Sequence, residues 1–339
     1  MAVAGVSEKP RHLAPPAAKA LVPLDEPPTF SIVIAAYEAA ATIGTALDSA
    51  LEQTLPAHEV IVVDDGSKDD LAAALAPFAG RITVLHQENK GPGPARNAAI
   101  AAASGEFVAI LDADDRYHPG RLEALAGLAR ERPDLDLITT DARLVVDGEG
   151  VGTFAGYTPF AVENQRTAIF ETCFVGGWPA VRLSRLRSLG GFDESFKVGE
   201  DWDCWLRAIL AGARAGFVDQ PLYDYVLHPG SLTDSRAQGT WARVRLLEKA
   251  AENPALREDE RPALRRALRT HRSRAVLAET QAALYGSARS ARLLRLAGAR
   301  EIEPRARLAA ALTALAPPLA RRFVPEDRPP EERLPAAQP

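Results

Sequence analysis

An α/β fold, a parallel sheet covered by helices, is what the first half of this 339-residue chain predicts. Short runs rich in Val and Ile alternate with amphipathic helical segments, and Gly and Pro punctuate the joints. Acidic clusters stand just beyond the ends of the apolar runs, which is where ligands sit in such sheets. From about residue 238 onward the pattern is helical alone.

Taken in order, Phe30-Ser31-Ile32-Val33-Ile34 reads as a buried strand, and residues 40–53 as a helix with Ile43, Leu47, Ala50 and Leu51 on one face. Glu59 to Val63 reads as the second strand, residues 68–78 as the second helix, and Ile82 to Leu85 as the third strand. After a Gly/Pro loop, Ala95 to Ala103 reads as a helix stopped near Gly105. Phe107 to Leu111 reads as the fourth strand, and residues 119–131 as a helix with Pro119 in its first turn. Right-handed crossovers are expected between these strands. Residues 135–154 read as a strand pair turning at Asp147-Gly148, and residues 155–167 as irregular. A helix is expected from Glu200-Asp201 to Gly212, with Trp202, Trp205, Leu206 and Ile209 inward. Leu222 to Leu227 reads as a strand running into His228-Pro229-Gly230-Ser231. Pro262 is expected to open a long helix that Gly286 closes, with shorter helices after it.

Composition is that of an ordinary globular chain, with 47% hydrophobic and 25% charged residues. Two cysteines, Cys173 and Cys204, make neither a disulfide framework nor a metal-ligand spacing, which fits a reducing, cytoplasmic setting. No apolar run reaches the roughly 18 residues of a membrane span, and no basic-then-apolar leader opens the chain. Residues 1–28 are rich in Ala and Pro and read as a disordered leader, residues 325–339 as a frayed tail. Residues 236–339 carry a net charge of +9 against −14 for residues 1–235, so the two regions are expected to do different jobs. Nucleic acid is not expected as a partner.

Four clusters and one histidine carry the chemistry. Asp112-Ala113-Asp114-Asp115 puts three carboxylates into four residues; Asp112 and Asp114 point the same way in extended backbone, and their repulsion is relieved by a cation between them. Such oxygen donors suit Mg²⁺ or Mn²⁺ completed by phosphates, although an acidic turn before a helix is an equal reading. Asp64-Asp65-Gly66-Ser67 is a turn whose carboxylate either caps a helix or accepts from a base or ribose hydroxyl. Lys90 to Asn97 offers backbone amides at a helix start, with Arg96 in the first turn, and diphosphate is a plausible guest. Glu200-Asp201 stands at a helix N-terminus, where the dipole favours an ionised carboxylate, either a general base or a cap. His228 follows a strand, positioned as a metal or phosphate ligand or as an ordinary surface histidine.

In order and spacing, five segments resemble the family 2 glycosyltransferases. They are Ser31-Ile32-Val33-Ile34-Ala35-Ala36-Tyr37-Glu38, Val62 to Ser67, Gly93 to Asn97, Leu111 to Asp115, and Gly190-Gly191-Phe192-Asp193-Glu194 followed by Gly199-Glu200-Asp201-Trp202. The resemblance covers about residues 29–235. It implies the GT-A fold, a Rossmann-like nucleotide-binding sheet merged with an acceptor-binding half, here followed by an α-helical extension over 236–324. It implies an inverting transfer of sugar from a nucleotide-sugar donor to a saccharide or lipid-linked acceptor, with a divalent cation, in cell-surface polysaccharide or glycoconjugate assembly. By position, the donor is expected against Ala35, Tyr37, Glu38, Asp65, Arg96 and Asp112. Asp114 and His228 are expected at the metal, and Asp201 as the catalytic base. Two departures stand out: Ala35 replaces a frequent Pro, and Glu38 a frequent Asn. The alternatives are a non-catalytic nucleotide-sugar scaffold and a glycoside hydrolase, which would leave Asp65 and Arg96 idle. The basic extension is expected either to pack on the catalytic domain or to give a peripheral contact with an anionic membrane at its inner face.

Overall fold

The computed structural model describes residues 27–228, 236–285, 292–321 and 324. The expected leader (but for residues 27 and 28) and tail lie outside the described residues, as do Gly286 and the Pro229-Gly230-Ser231 turn.

The chain opens with β1 (Phe30–Ala36), α1 (Ile43–Leu51), β2 (Glu59–Asp64), and α2 (Leu71–Leu75), which runs into a 3₁₀ turn over Ala76–Phe78. It continues through β3 (Thr83–His86), α3 (Pro92–Ala102), β4 (Phe107–Ile110), β5 (Arg116–Tyr117) and α4 (Arg121–Glu131). Next come β6 (Leu137–Val146), β7 (Glu149–Thr153), α5 (Phe154–Tyr157), α6 (Gln165–Glu171), β8 (Ala180–Arg182), α7 (Leu183–Ser188), α8 (Glu200–Leu210) and β9 (Ala215–Leu227). The rest is helical: α9 (Arg236–Ala251), α10 (Arg261–Tyr285), α11 (Leu293–Gly298), α12 (Pro304–Leu315) and α13 (Pro317–Ala320).

One sheet runs in the order β3-β2-β1-β4-β8-β6-β9-β5, with β7 on β6. The expected parallel unit is its first half, where β1 pairs with β2 and β4, and β2 with β3, all parallel. β1, β2 and β4 carry near-continuous apolar runs, as strands covered on both faces do, while β3 at the sheet edge is partly exposed. The short β8 then pairs antiparallel with both β4 and β6, and β6 runs parallel to β9 along most of its length. Pairing in register brings the carboxyl ends of β1, β2 and β4 to one edge, and the end of β9 joins them through β5.

The turn at Asp147-Gly148 stands where expected, with both residues in left-handed backbone (φ 49° and 83°), as a two-residue hairpin requires. Three differences from the expected elements have a clear physical reason. α3 begins at Pro92 rather than Ala95, because proline is pre-set for a first helical turn and lacks only an N–H the helix does not need there. The segment 155–167 holds α5 and the start of α6, the former capped by the Thr153 hydroxyl accepting from Gly156 N–H. The last strand starts at Ala215, seven residues before Leu222, because β6 gives its first half a partner.

The basic extension is no separate body. Leu246, Leu247 and Ala250 of α9, and Ala263, Leu264 and Ala267 of α10, belong to the same apolar cluster as Trp202 and Trp205 of α8. Lys249 donates to Asp203 at 2.8 Å and also reaches Asp193. Smaller clusters join the far end of α10 to α11, α12 and α13. Among the described residues, no helix is long and apolar enough to cross a membrane.

Candidate active site

The strand-end loops lock onto one another before any ligand arrives. Beyond β1, Glu38 N–H donates to the Ser67 hydroxyl at 3.0 Å and Ala40 N–H to Asp69 at 2.8 Å. Glu38 sits at φ 50°, in the left-handed region that asparagine tolerates better than glutamate. Tyr37 beside it is 46% exposed, an aromatic face open at the rim, while Ala35 lies inside β1.

Asp65 is only 3% exposed and is saturated from within. Its Oδ1 accepts from Gln87 Nε2 at 2.7 Å and Lys90 N–H at 2.9 Å, and its Oδ2 from Gly91 N–H at 2.8 Å. The carboxylate thus occupies the start of α3 as an internal anion. The amides expected there for a diphosphate are mostly spoken for: Lys90 and Gly91 serve Asp65, Ala95 donates to Gly91 O, and Pro92 and Pro94 have no N–H.

Arg96 is the fifth residue of α3, a consequence of the earlier helix start, and points inward rather than to solvent. One nitrogen donates to Glu200 Oε1 at 2.6 Å and another to Asp112 Oδ1 at 2.7 Å, with the guanidinium over the Phe192 ring. It therefore ties the loop after β4 to the N-terminus of α8. Burial works against its charge, yet Asp112 and Glu200 raise its pKa. Burial, only partly offset by Arg96, pushes Glu200 up to about 7.

Leu111 N–H donates to Val33 O, extending the pairing of β4 with β1 by a residue and aiming the acidic loop away from the sheet. Within that loop the three carboxylates take different parts. Asp112 is held by Arg96. Asp114 reaches out and meets His228 Nε2 at 2.8 Å, both side chains being about two-fifths exposed. Asp115 turns inward, 2% exposed, and accepts from the Tyr223 hydroxyl at 2.6 Å and Val226 N–H at 2.7 Å. Burial, with Asp112 and Asp114 nearby, pushes its pKa well above the ordinary range.

Asp201 lies in the first turn of α8, opened by Gly199 in left-handed backbone (φ 79°). Its Oδ1 accepts from Trp202 N–H at 2.7 Å. Its other oxygen lies 3.3 Å from where a β-carbon on Gly177 would stand, so the loop after α6 passes close to it. Burial raises the Asp201 pKa against the pull of Arg96, making it a better proton acceptor than a free aspartate.

No set of three or more His, Cys, Asp or Glu among the described residues is arranged to hold a metal by itself. Asp114 and His228 nevertheless converge, with Asp112 two residues away. A carboxylate and an imidazole suit a small divalent cation that draws its remaining ligands from phosphate and water, so the donor set fits. The structure thus gathers Asp112, Asp114, His228, Arg96 and Asp201 at one edge, and places Tyr37, Glu38 and Asp65 along the neighbouring strand ends. Sequence reasoning passed over Glu200 as a partner for Arg96, and missed Tyr223, Trp178 and Arg121 altogether. One signal was available for Arg121: it shares the 3.6-residue face of Leu125 and Ala129.

Comparison with known proteins places the chain in a family. The family model described as glycosyl transferase family 2 matches residues 31–182, and that of glycosyl transferase family group 2 matches residues 107–280, about half the chain. The succinoglycan biosynthesis protein ExoO of Rhizobium meliloti is 33% identical over 223 residues, 62% of this chain and 64% of that protein. The chain thus spans a little under two thirds of the length of such relatives. Among solved structures, residues 1–349 of S. aureus TarS in complex with UDP-GlcNAc superpose with a TM-score of 0.61 at 21% identity, covering 87% of this chain and 90% of that one. The mannosyltransferase PcManGT from Pyrobaculum calidifontis, in complex with GDP-Man and Mn²⁺, superposes with a TM-score of 0.56 at 23% identity, covering 93% and 90%. The fold is the GT-A fold, and with the acidic motifs at its strand ends and a family model spanning half its length, the chain belongs to glycosyltransferase family 2.

Proposed function

We propose that this protein transfers a sugar from a nucleoside-diphosphate-sugar to an acceptor hydroxyl, with inversion, in the assembly of a cell-surface polysaccharide or glycoconjugate. The observation that carries the reading is the Asp114–His228 pair, close in sequence to Asp112, at the same edge as Asp201 and linked toward it by Arg96, which bridges Asp112 and Glu200. The part of ExoO in succinoglycan biosynthesis and the nucleotide-sugars bound by TarS and PcManGT support it.

In this reading Asp201 accepts the proton of the acceptor hydroxyl as that oxygen bonds to the anomeric carbon. The bond from that carbon to the diphosphate oxygen breaks in the same step, and the nucleoside diphosphate leaves. Tyr37 and Glu38 frame the nucleoside, and Asp65 shapes that pocket by holding the Gln87–Gly91 loop beside it. Arg96 holds Asp112 and Glu200 in place, so that the charge of the donor meets a prearranged site. Asp114 and His228 would hold a divalent cation, which when bound supplies Lewis-acid stabilisation of the departing diphosphate. General-base help from Asp201 is worth about 10²–10⁴-fold.

The test is a thermal-shift panel of nucleoside diphosphates with and without Mn²⁺, followed by release of nucleoside diphosphate from the matching nucleotide-sugar. A ligand that binds only the folded state raises the melting temperature. The proposal expects one base to stand out and its shift to need the cation; no shift with any of them defeats it.

The domain reading is a catalytic unit over 29–235 with a helical extension over 236–324, at the cytoplasmic face. Its membrane-facing part would be α11 to α13, since α9 and the start of α10 are used in packing. α12 buries Ala306, Ala309, Ala310 and Thr313 and leaves Leu308 and Leu315 outward, 60% and 73% exposed, with Arg305 and Arg321 near the ends of the stripe. Co-sedimentation with anionic vesicles that weakens in salt supports a peripheral membrane contact; no binding at low salt returns these helices to a structural role.

A further inference from the structure

Arg121 opens α4 and is fully buried, yet no carboxylate pairs with it among the described residues. Its Nε finds no hydrogen-bond partner among the described residues. Burying an arginine without a counter-charge is costly, and what it touches leads to both halves of the site. One nitrogen donates to the Trp178 carbonyl at 2.5 Å and another to the Thr140 hydroxyl. The guanidinium lies over the rings of Tyr117 (4.6 Å) and Tyr223 (5.1 Å). Trp178 stacks on Tyr223, with centroids 4.9 Å apart, and anchors its indole N–H on the Thr140 carbonyl.

From this box one arm runs to the donor side. The Tyr223 hydroxyl donates to Asp115, and Asp115 also accepts from Val226 N–H, which clamps the acidic loop to the end of β9. Asp114 stands on one side of that clamp and His228 on the other, so the clamp sets how they meet. The other arm runs to the acceptor side. Trp178 follows Gly177, whose backbone passes Asp201 so closely that a β-carbon there would lie 3.3 Å from its carboxylate.

We propose that Arg121 is a positioning residue that registers the metal-holding pair, through Tyr223 and Asp115, against the loop at Asp201, through Trp178. The inference rests on the glycosyltransferase reading. Apart from binding nothing itself, Arg121 fixes the distance between the place where the leaving group is held and the place where the acceptor proton is taken. The Tyr223 hydroxyl serves the donor arm alone, while its ring stays in the box with Trp178 and Arg121. Their losses should therefore look different: without the Tyr223 hydroxyl the acidic loop is unclamped, whereas without Arg121 both arms lose registration. Removing an outer partner of a metal site typically costs 10–100-fold in affinity or activity.

The experiment compares the full chain with Tyr223→Phe and Arg121→Met, both of which keep most of the packed volume. Mn²⁺ affinity is measured by electron paramagnetic resonance in the presence of UDP or GDP, and kcat for nucleoside-diphosphate release is measured at saturating Mn²⁺ and donor. Tyr223→Phe is expected to weaken Mn²⁺ binding about tenfold and to leave kcat at saturating Mn²⁺ within about threefold. Arg121→Met is expected to weaken Mn²⁺ binding about tenfold and also to lower kcat at least about tenfold. Should Arg121→Met fail to fold, Tyr223→Phe alone decides the donor arm, and Arg121→Lys, which keeps the charge but not the fork, decides the rest by the same kcat loss. Variants that merely melt earlier, with parental Mn²⁺ affinity and kcat per folded molecule, overturn the proposal. A parent that binds no Mn²⁺ with either nucleotide overturns the donor reading instead, and this role with it.

Discussion

Replacing Asp201 by Asn separates catalysis from stability. The amide keeps the side chain's shape and an oxygen for Trp202 N–H, but cannot take a proton. If Asp201 is the base, kcat for nucleoside-diphosphate release falls at least about 10²-fold, which is about 2.7 kcal/mol of barrier. Stability should move the other way. Burial raises the folded pKa of Asp201 above its unfolded value, so its ionised form costs stability as pH rises through the folded pKa. Asparagine carries no such cost, and it also takes a negative charge away from Glu200, itself raised to about 7. At pH 7.5 the variant should therefore match or exceed the parent, by up to about 2 kcal/mol. Donor affinity by calorimetry should stay within about threefold, since the change is on the acceptor side. The assays are calorimetry, a coupled nucleotide-release assay and a urea titration. Near-parental turnover would refute the base assignment. A loss of more than about 2 kcal/mol would mean that the carboxylate serves chiefly to cap α8.

Three further outcomes are expected. Burial pulls His271 down to about 4 while it donates to the Glu171 carbonyl, so between pH 6.5 and 4 the unfolded chain binds more protons and stability falls as pH falls, by about 3 kcal/mol at most. His271→Gln, which keeps a donor but does not titrate, should flatten that slope in urea titrations at several pH values; an unchanged slope refutes it. Lys249→Met should cost about 1–3 kcal/mol by leaving Asp203, 2% exposed, with Arg207 alone. It should also lessen the acid sensitivity that arises because Lys249 and Ser195 N–H, against the cost of burial, hold Asp193 down to about 2: that contribution is present above pH 4 and lost as pH falls toward 2. A parental acid profile would contradict this. Glu38→Asn should raise stability by about 0.5–1 kcal/mol, because Glu38 sits at φ 50°; thermal melting checks it, and a lower melting temperature counts against the strain argument.

The parallel half of the sheet was legible because strands buried on both faces are written as unbroken apolar runs, such as Val60 to Val63. The strand-end motifs followed, since polar residues just past such runs have few structural reasons to be there. The second half was less legible. β8 is three residues long, and β9 starts with Ala215-Gly216-Phe217-Val218-Asp219-Gln220-Pro221, which lacks alternation and is a strand only because β6 pairs with it. Partnerships were the least legible part. Nothing in the order of residues says that Arg96 binds Asp112 and Glu200, or that Asp65 spends its oxygens on Gln87, Lys90 and Gly91, because those contacts join segments far apart in the chain. The role of α9 was ambiguous for the same reason. Its arginines suggested a partner, while its Leu246 and Leu247 were already committed to the catalytic core.

The central claim is that the strand-end carboxylates form a cation-dependent nucleotide site with Asp114 as a ligand. It is tested most directly by calorimetric titration of the matching nucleoside diphosphate into the parent and Asp114→Ala, each with Mn²⁺ and with EDTA. Asp114 is a partly exposed loop residue, so the variant should melt within a few degrees of the parent. The account predicts that Mn²⁺ strengthens binding to the parent by tenfold or more and that the alanine variant loses this gain. Equal Mn²⁺-dependent binding by parent and variant would contradict it.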